Sequence, residues 1–118
     1  MTELRIFYDH ESDMLEVLFA EPTIDEQAFE LSFNIILFVN SRTGKPINLT
    51  ILDYQRLSQF DKIALDKFEK MSVSKQRKMR ALVSSEPISN FLEWVDEPRL
   101  KKPYVRILNP AFQELLAA

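Results

Sequence analysis

The sequence predicts an α+β fold: a four-stranded antiparallel β-meander over residues 1–54, then two or three packing helices, a short C-terminal strand and a final helix over residues 55–118. Three observations carry that expectation. Apolar residues alternate with period two through the first half. After Asp53 they recur at three- and four-residue spacing. Between the periodic runs stand clusters of turn-forming residues. At 118 residues the chain has the size of one domain, long enough for a single core.

The first strand is Leu4-Arg5-Ile6-Phe7-Tyr8, closed by the turn chemistry of Asp9-His10-Glu11-Ser12. A second runs from Met14 to Phe19, with Leu15, Val17 and Phe19 on one face and Glu16 on the other. Pro22 and the acidic Asp25-Glu26 mark Ala20 to Gln27 as a loop. From Phe29, the odd positions Leu31, Phe33, Ile35, Leu37 and Val39 trace one continuous apolar face. The even face turns apolar at Ile36 and Phe38, as in a central strand covered on both sides. Asn40 to Gly44 is the next turn. Gly44, the only glycine, is expected at positive φ. Ile47, Leu49 and Ile51 then give the fourth strand its core face.

The helical half starts at Ser58-Gln59-Phe60-Asp61, which has capping-box spacing, with Phe60, Ile63, Ala64, Phe68 and Met71 on one helical face. Ser74 is placed to cap a second helix that buries Met79, Leu82 and Val83. Ser85-Glu86-Pro87 opens a third, with Ile88, Phe91, Leu92 and Val95 at i, i+3, i+4 and i+7. Pro98 and Pro103 bracket an extended connector, Tyr104 to Leu108 is a fifth strand, and Asn109-Pro110 starts a terminal helix to Leu116.

Composition excludes several classes. The chain is 46% hydrophobic and 28% charged, neither disordered nor membranous in character. No apolar run is long enough to span a bilayer, and the N-terminus lacks the pattern of a signal peptide. With no cysteine there are no disulfides, thiolate metal sites or thiol nucleophiles, which fits a cytoplasmic location. The net charge of −3 hides an asymmetry: residues 1–54 hold 10 acids and 3 bases, and residues 55–118 hold 8 acids and 12 bases. Either the halves complement one another in one fold, or the basic half faces an acidic partner or a phosphate backbone.

Tyr8-Asp9-His10-Glu11-Ser12-Asp13-Met14-Leu15-Glu16-Val17, Asn40 to Ile47 with its Gly44-Lys45-Pro46, and Ile51-Leu52-Asp53 together resemble the small bacterial family called domain of unknown function 2283. The resemblance covers about residues 4–54. One departure is Asn48, near where that family usually carries a second glycine. It implies a sheet-forming domain with no assigned enzymatic activity, some of whose members look like antitoxins of toxin–antitoxin pairs, and hence a protein-binding role.

No catalytic, cofactor-binding or metal-binding residues are assigned. Asp9, Glu11 and Asp13 are spaced like the first ligands of a calcium loop, but Met14 and Ala20 stand where such a loop needs glycine and glutamate. His10, the only histidine, has neither a triad partner nor the companion ligands of a zinc site. Phosphate-binding loops rich in glycine are excluded by Gly44 standing alone. A carboxylate-only chemistry would have 18 acids to draw on, and no spacing selects a pair. Two features point to binding. Trp94, with Phe91 and Tyr104 nearby in sequence, reads either as a residue at the edge of the core or as an interface anchor. Lys75, Arg77, Lys78 and Arg80 lie in an acid-free stretch that reads either as a solvated helix face or as a contact for phosphates or an acidic protein. The leading expectation is a small cytoplasmic, non-enzymatic protein acting through protein–protein contact as an adaptor, regulator or antitoxin-like factor, with a homodimer as one form of that contact. The alternative is a nucleic-acid-associated factor using the helix around residues 75–80, against which stands a pI near 5.2.

Overall fold

A computed structural model describes residues 4–95, 99 and 102–108. The chain is α+β: eight strands in two antiparallel sheets, with two helices among the described residues. In chain order the elements are β1 (Arg5–Asp9), β2 (Met14–Leu18), β3 (Glu26–Glu30), β4 (Ile35–Asn40), β5 (Pro46–Leu52), α1 (Tyr54–Leu57), β6 (Ile63–Ala64), α2 (Val73–Val83), β7 (Leu92–Val95) and β8 (Tyr104–Ile107). Short 3-10 turns at Phe68–Lys70 and Ile88–Asn90 lead into α2 and β7.

The larger sheet has the order β1-β2-β5-β4-β3 and departs from the expected meander. The β1–β2 hairpin and the β3–β4–β5 run are each sequential, but β2 pairs with β5, and residues 19–25 carry the chain across to the far edge. Three hairpin-linked strands beside a fourth reached by a longer link is a Greek-key arrangement, here in reverse chain order. The register puts Val17 opposite Leu49 and Leu49 opposite Leu37. All three are fully buried, so the centre of the sheet is a row of apolar side chains spanning three strands.

The single central strand expected from Phe29 to Val39 is instead a hairpin, with Leu31 to Asn34 at its turn. The Ser32 hydroxyl accepts the amides of Asn34 (3.2 Å) and Ile35 (3.1 Å), which diverts them from a ladder. Leu31 donates to the Ile35 carbonyl (2.9 Å), and Phe33 is left at the tip, 71% exposed. The segment read as a loop to Gln27 thereby supplies the start of β3. Gly44 has φ of 75°, as expected, and donates to the Asn40 carbonyl (2.7 Å), closing the β4–β5 hairpin. Asn48 lies within β5 and accepts the Thr50 hydroxyl at 2.7 Å. The irregularity in that hairpin falls instead between Phe38 and Val39, where the register slips by one residue.

The second half differs more. The helix expected from Ser58 does not form: α1 ends at Leu57, and Ile63 and Ala64 pair with Val105 and Tyr104 of β8. The helix expected over Ile88 to Val95 is a 3-10 turn followed by β7, because Leu92 and Trp94 pair with Ile107 and Val105. Both segments carry apolar residues at helical spacing, and in both the unpaired edge of β8 recruits them as strands; tertiary pairing outweighs local propensity. The order of the smaller sheet is β6-β8-β7. The expected strand over Tyr104 to Leu108 is present as β8, whereas the terminal helix from Asn109 lies outside the described residues.

The second helix is present, with its cap shifted. Ser72, not Ser74, accepts the Lys75 amide through its hydroxyl (3.2 Å). Gln76 reaches back to the carbonyls of Phe68 and Met71 (3.2 and 3.1 Å), fixing the preceding turn to the first turn of α2. Met79 and Val83 are fully buried and join one core cluster with Leu31, Leu37, Ile88 and Val105, so helix and both sheets share apolar contacts. Lys67 pairs with Glu30 of β3, an ion pair between the acidic first half and the basic second. Replacing Ser72 by alanine is expected to lower unfolding free energy by about 1 kcal/mol. Ser74→Ala, at the second residue of the helix, should be neutral or stabilising by up to about 0.5 kcal/mol. Urea unfolding followed by circular dichroism distinguishes the two.

Candidate interaction site

The half-buried Trp94 is the centre of the site. Its place in β7 turns its ring against Phe68, edge to face with centroids 5.2 Å apart, and on the other side it meets α2. The Arg80 guanidinium carbon lies 5.4 Å from the Trp94 ring centroid, within cation–π range. Two features read separately from the sequence, the tryptophan and the basic helix, are therefore in contact. This follows from the helix geometry: Met79 and Val83 are pinned in the core, which brings Arg80 to the flank of α2 beside β7.

Next to this pair opens a cleft of about 260 Å³. Trp94 and Leu108 line it together with Ser84, Ser89 and Glu93, over the fully buried Val83 and Leu92. Glu93 is paired with Arg106 at 2.7 Å, and Arg106 also donates to the Asp61 carbonyl at 3.1 Å, so the carboxylate is neutralised within the smaller sheet. The mouth holds the C-terminal end of α2, whose dipole gives it a partial negative charge.

The other residues singled out from the sequence are distributed differently. Phe91 is not a surface anchor: it is 6% exposed and packs against Phe19 with centroids 5.9 Å apart. Its place just before β7, where its carbonyl accepts the Leu108 amide (2.8 Å), turns it inward. Tyr104 is half-buried in β8 between Ala64 and Val95 and does not line the cleft. Lys75, Arg77, Lys78 and Arg80 are all exposed. They do not make one stripe, however, because Lys75 and Arg77 are two residues apart and point to opposite sides of the helix. Arg77 and Arg80, three apart, share the flank nearer Trp94. Sequence reasoning missed Ser84, Ser89 and Leu108, which reach the cleft only because β7 and β8 form a hairpin.

The acidic turn near the N-terminus has its own geometry. Asp9 accepts the Glu11 amide (3.0 Å), and Asp13, at φ of 52°, accepts the Tyr8 hydroxyl (2.6 Å) and the Gln55 amide (3.0 Å). Asp53, also left-handed at φ of 55°, accepts the Asn34 side-chain amide (3.0 Å). These three carboxylates hold turns at one end of the larger sheet. His10 is exposed, its ring set edgewise on Tyr8 at 4.6 Å. Among the described residues no helix is long and apolar enough to cross a membrane.

No protein-family model, curated protein or solved structure matches the chain.

The Tyr8–Asp13 bond has a measurable consequence. Partial burial, then the hydrogen bond to Asp13 and its negative charge, push the Tyr8 phenol from 10.0 up to about 12. A folded-state value above the unfolded one means the contribution to stability is complete below pH 10 and disappears as pH rises towards 12. Unfolding free energy measured across that window should fall more steeply for the natural chain than for Tyr8→Phe. Equal slopes would show that Tyr8 is not coupled to Asp13.

Proposed function

We propose that this chain is a small, non-enzymatic cytoplasmic binding protein, an adaptor or antitoxin-like regulator, that holds another protein at the cleft beside Trp94. The observation that carries this reading is the convergence of a half-buried tryptophan, a guanidinium stacked on it and an adjacent cleft that the tryptophan helps to line. Tryptophan and arginine are the residue types most enriched among those that dominate binding energy, and they act from partly desolvated pockets. A cleft of 260 Å³ suits one or two side chains of a partner rather than a buried cofactor.

A non-enzymatic role is supported by the work the carboxylates already do: Asp9, Asp13 and Asp53 each accept hydrogen bonds that fix a turn. The resemblance of residues 4–54 to a family with antitoxin-like members points the same way. The nucleic-acid alternative asks for a continuous basic face, and the bases of α2 are divided between two flanks.

The test is affinity capture from the source cell with the tagged chain, with and without nuclease, alongside a Trp94→Ala variant whose fold is checked by circular dichroism. One protein retained after nuclease and lost with Trp94→Ala is the expected result. Partners that vanish on nuclease treatment would transfer the role to the basic helix. A partner unaffected by Trp94→Ala would remove the cleft from the account.

A further inference from the structure

We infer that β1 is a self-association edge: two copies of the chain pair their β1 strands antiparallel about a two-fold axis at Phe7, joining their five-stranded sheets into one. This surface is independent of the Trp94 cleft. β1 closes one side of the larger sheet, and no strand among the described residues pairs with its outer side. Edge strands usually avoid such exposure with lysine, proline or a bulge. Arg5-Ile6-Phe7-Tyr8-Asp9 has none of these, and its register with β2 is regular throughout.

The ladder decides which groups face outward. The Phe19 amide donates to the Ile47 carbonyl at 2.7 Å, and bonded and non-bonded pairs alternate along antiparallel strands. Leu15 and Val17 therefore bond to β5, while Met14, Glu16 and Leu18 bond to β1 through Asp9, Phe7 and Arg5. Ile6 and Tyr8 are left with amides and carbonyls directed away from the sheet. A second β1 meets them with Ile6 of each copy opposite Tyr8 of the other, as hydrogen-bonded pairs.

Charge selects this register and this edge. With Phe7 on the axis, Arg5 of each copy lies opposite Asp9 of the other, so both ends attract. Arg5 already pairs with Glu21 at the surface, and the five N–H donors of a guanidinium can serve both carboxylates. Phe7, 52% exposed, meets its counterpart as a non-hydrogen-bonded pair, the closer of the two kinds. The opposite edge repels itself: pairing β3 with its copy about Ala28 sets Glu26 against Glu30. Laying β1 antiparallel on β3 of another copy matches Arg5 with Glu30 but sets Asp9 against Glu26. That contact is also heterologous and leaves free edges that propagate, whereas the two-fold pair closes.

The chain has no cysteine, so Phe7→Cys introduces a single thiol. In this register the two α-carbons at position 7 lie about 4.5 Å apart, within disulfide reach. The experiment compares mild oxidation of Phe7→Cys with that of Phe33→Cys, which changes an exposed residue at the tip of the β3–β4 hairpin. Disulfide-linked dimer is expected to form at least about tenfold faster at position 7. Sedimentation velocity of the cysteine-free chain from about 10 µM to 1 mM follows the reversible association. Arg5→Glu and Asp9→Arg, each checked for fold by circular dichroism, should each weaken it at least about fivefold. An equimolar mixture of the two should recover it, because the mixed pair again opposes unlike charges at both ends. Equal oxidation rates at positions 7 and 33, a monomer throughout that concentration range, or folded variants that associate no better mixed than alone would overturn the assignment. Should a charge variant lose its fold, the oxidation rates decide.

Discussion

The pairing of β2 with β5 is the constraint on which the rest of the structure depends. It joins residues 14–18 to residues 48–52 and, among the described residues, is the one strand pairing that unites the β1–β2 hairpin with the β3–β4–β5 run. Closing a loop of that separation costs on the order of 3 kcal/mol in chain entropy. Leu15, Val17, Leu49 and Ile51, each at most 1% exposed, offset it, since full burial of such side chains contributes about 2 kcal/mol apiece. The balance favours closure because four apolar residues meet at one seam. Nothing local to either strand would select it.

The same seam positions the turns at its end. Asp13 ends the turn of the first hairpin, and its carbonyl accepts the Tyr54 amide at 2.9 Å while its carboxylate accepts the Gln55 amide. Asn34, at the tip of the β3–β4 hairpin, accepts the Leu52 amide at 2.8 Å and donates to Asp53. Two aspartates in the left-handed region, where aspartate is tolerated better than most residues, thus bind three separate connections into one corner. From that corner α1 directs the chain towards the smaller sheet. The Phe68 amide then reaches back to the Leu31 carbonyl at 3.2 Å, which sets the second half against the first. The Trp94 cleft sits at the far end of that chain of dependencies.

How much of this was legible in the sequence follows from how local each signal is. The first two strands, the Gly44 turn, β5 and β8 were readable because alternation and turn residues lie within a few positions of one another. The split at Leu31 to Asn34 was not, since the apolar residues on both sides keep the same parity and only the Ser32 hydroxyl signals a turn. Ile63 and the run from Ile88 to Val95 carry helical spacing, yet both end as strands because β8, distant in sequence, offers them a ladder. The site was legible as residue types and not as geometry. Trp94 and the α2 bases stood out individually, but their contact and the inward turn of Phe91 depend on how α2 and the β7–β8 hairpin pack. The acidic turn shows the converse case: its calcium-like spacing is satisfied by backbone amides and the Tyr8 hydroxyl.

The order of the larger sheet is the central claim, because a simple meander would place β2 beside β3 and move every later element. Nuclear Overhauser contacts between strand backbones test it directly in the isotopically labelled chain. The account predicts contacts linking Leu15 to Ile51 and Val17 to Leu49, with none linking β2 to β3. Backbone contacts between residues 14–18 and 26–30, in place of those to 48–52, would contradict it.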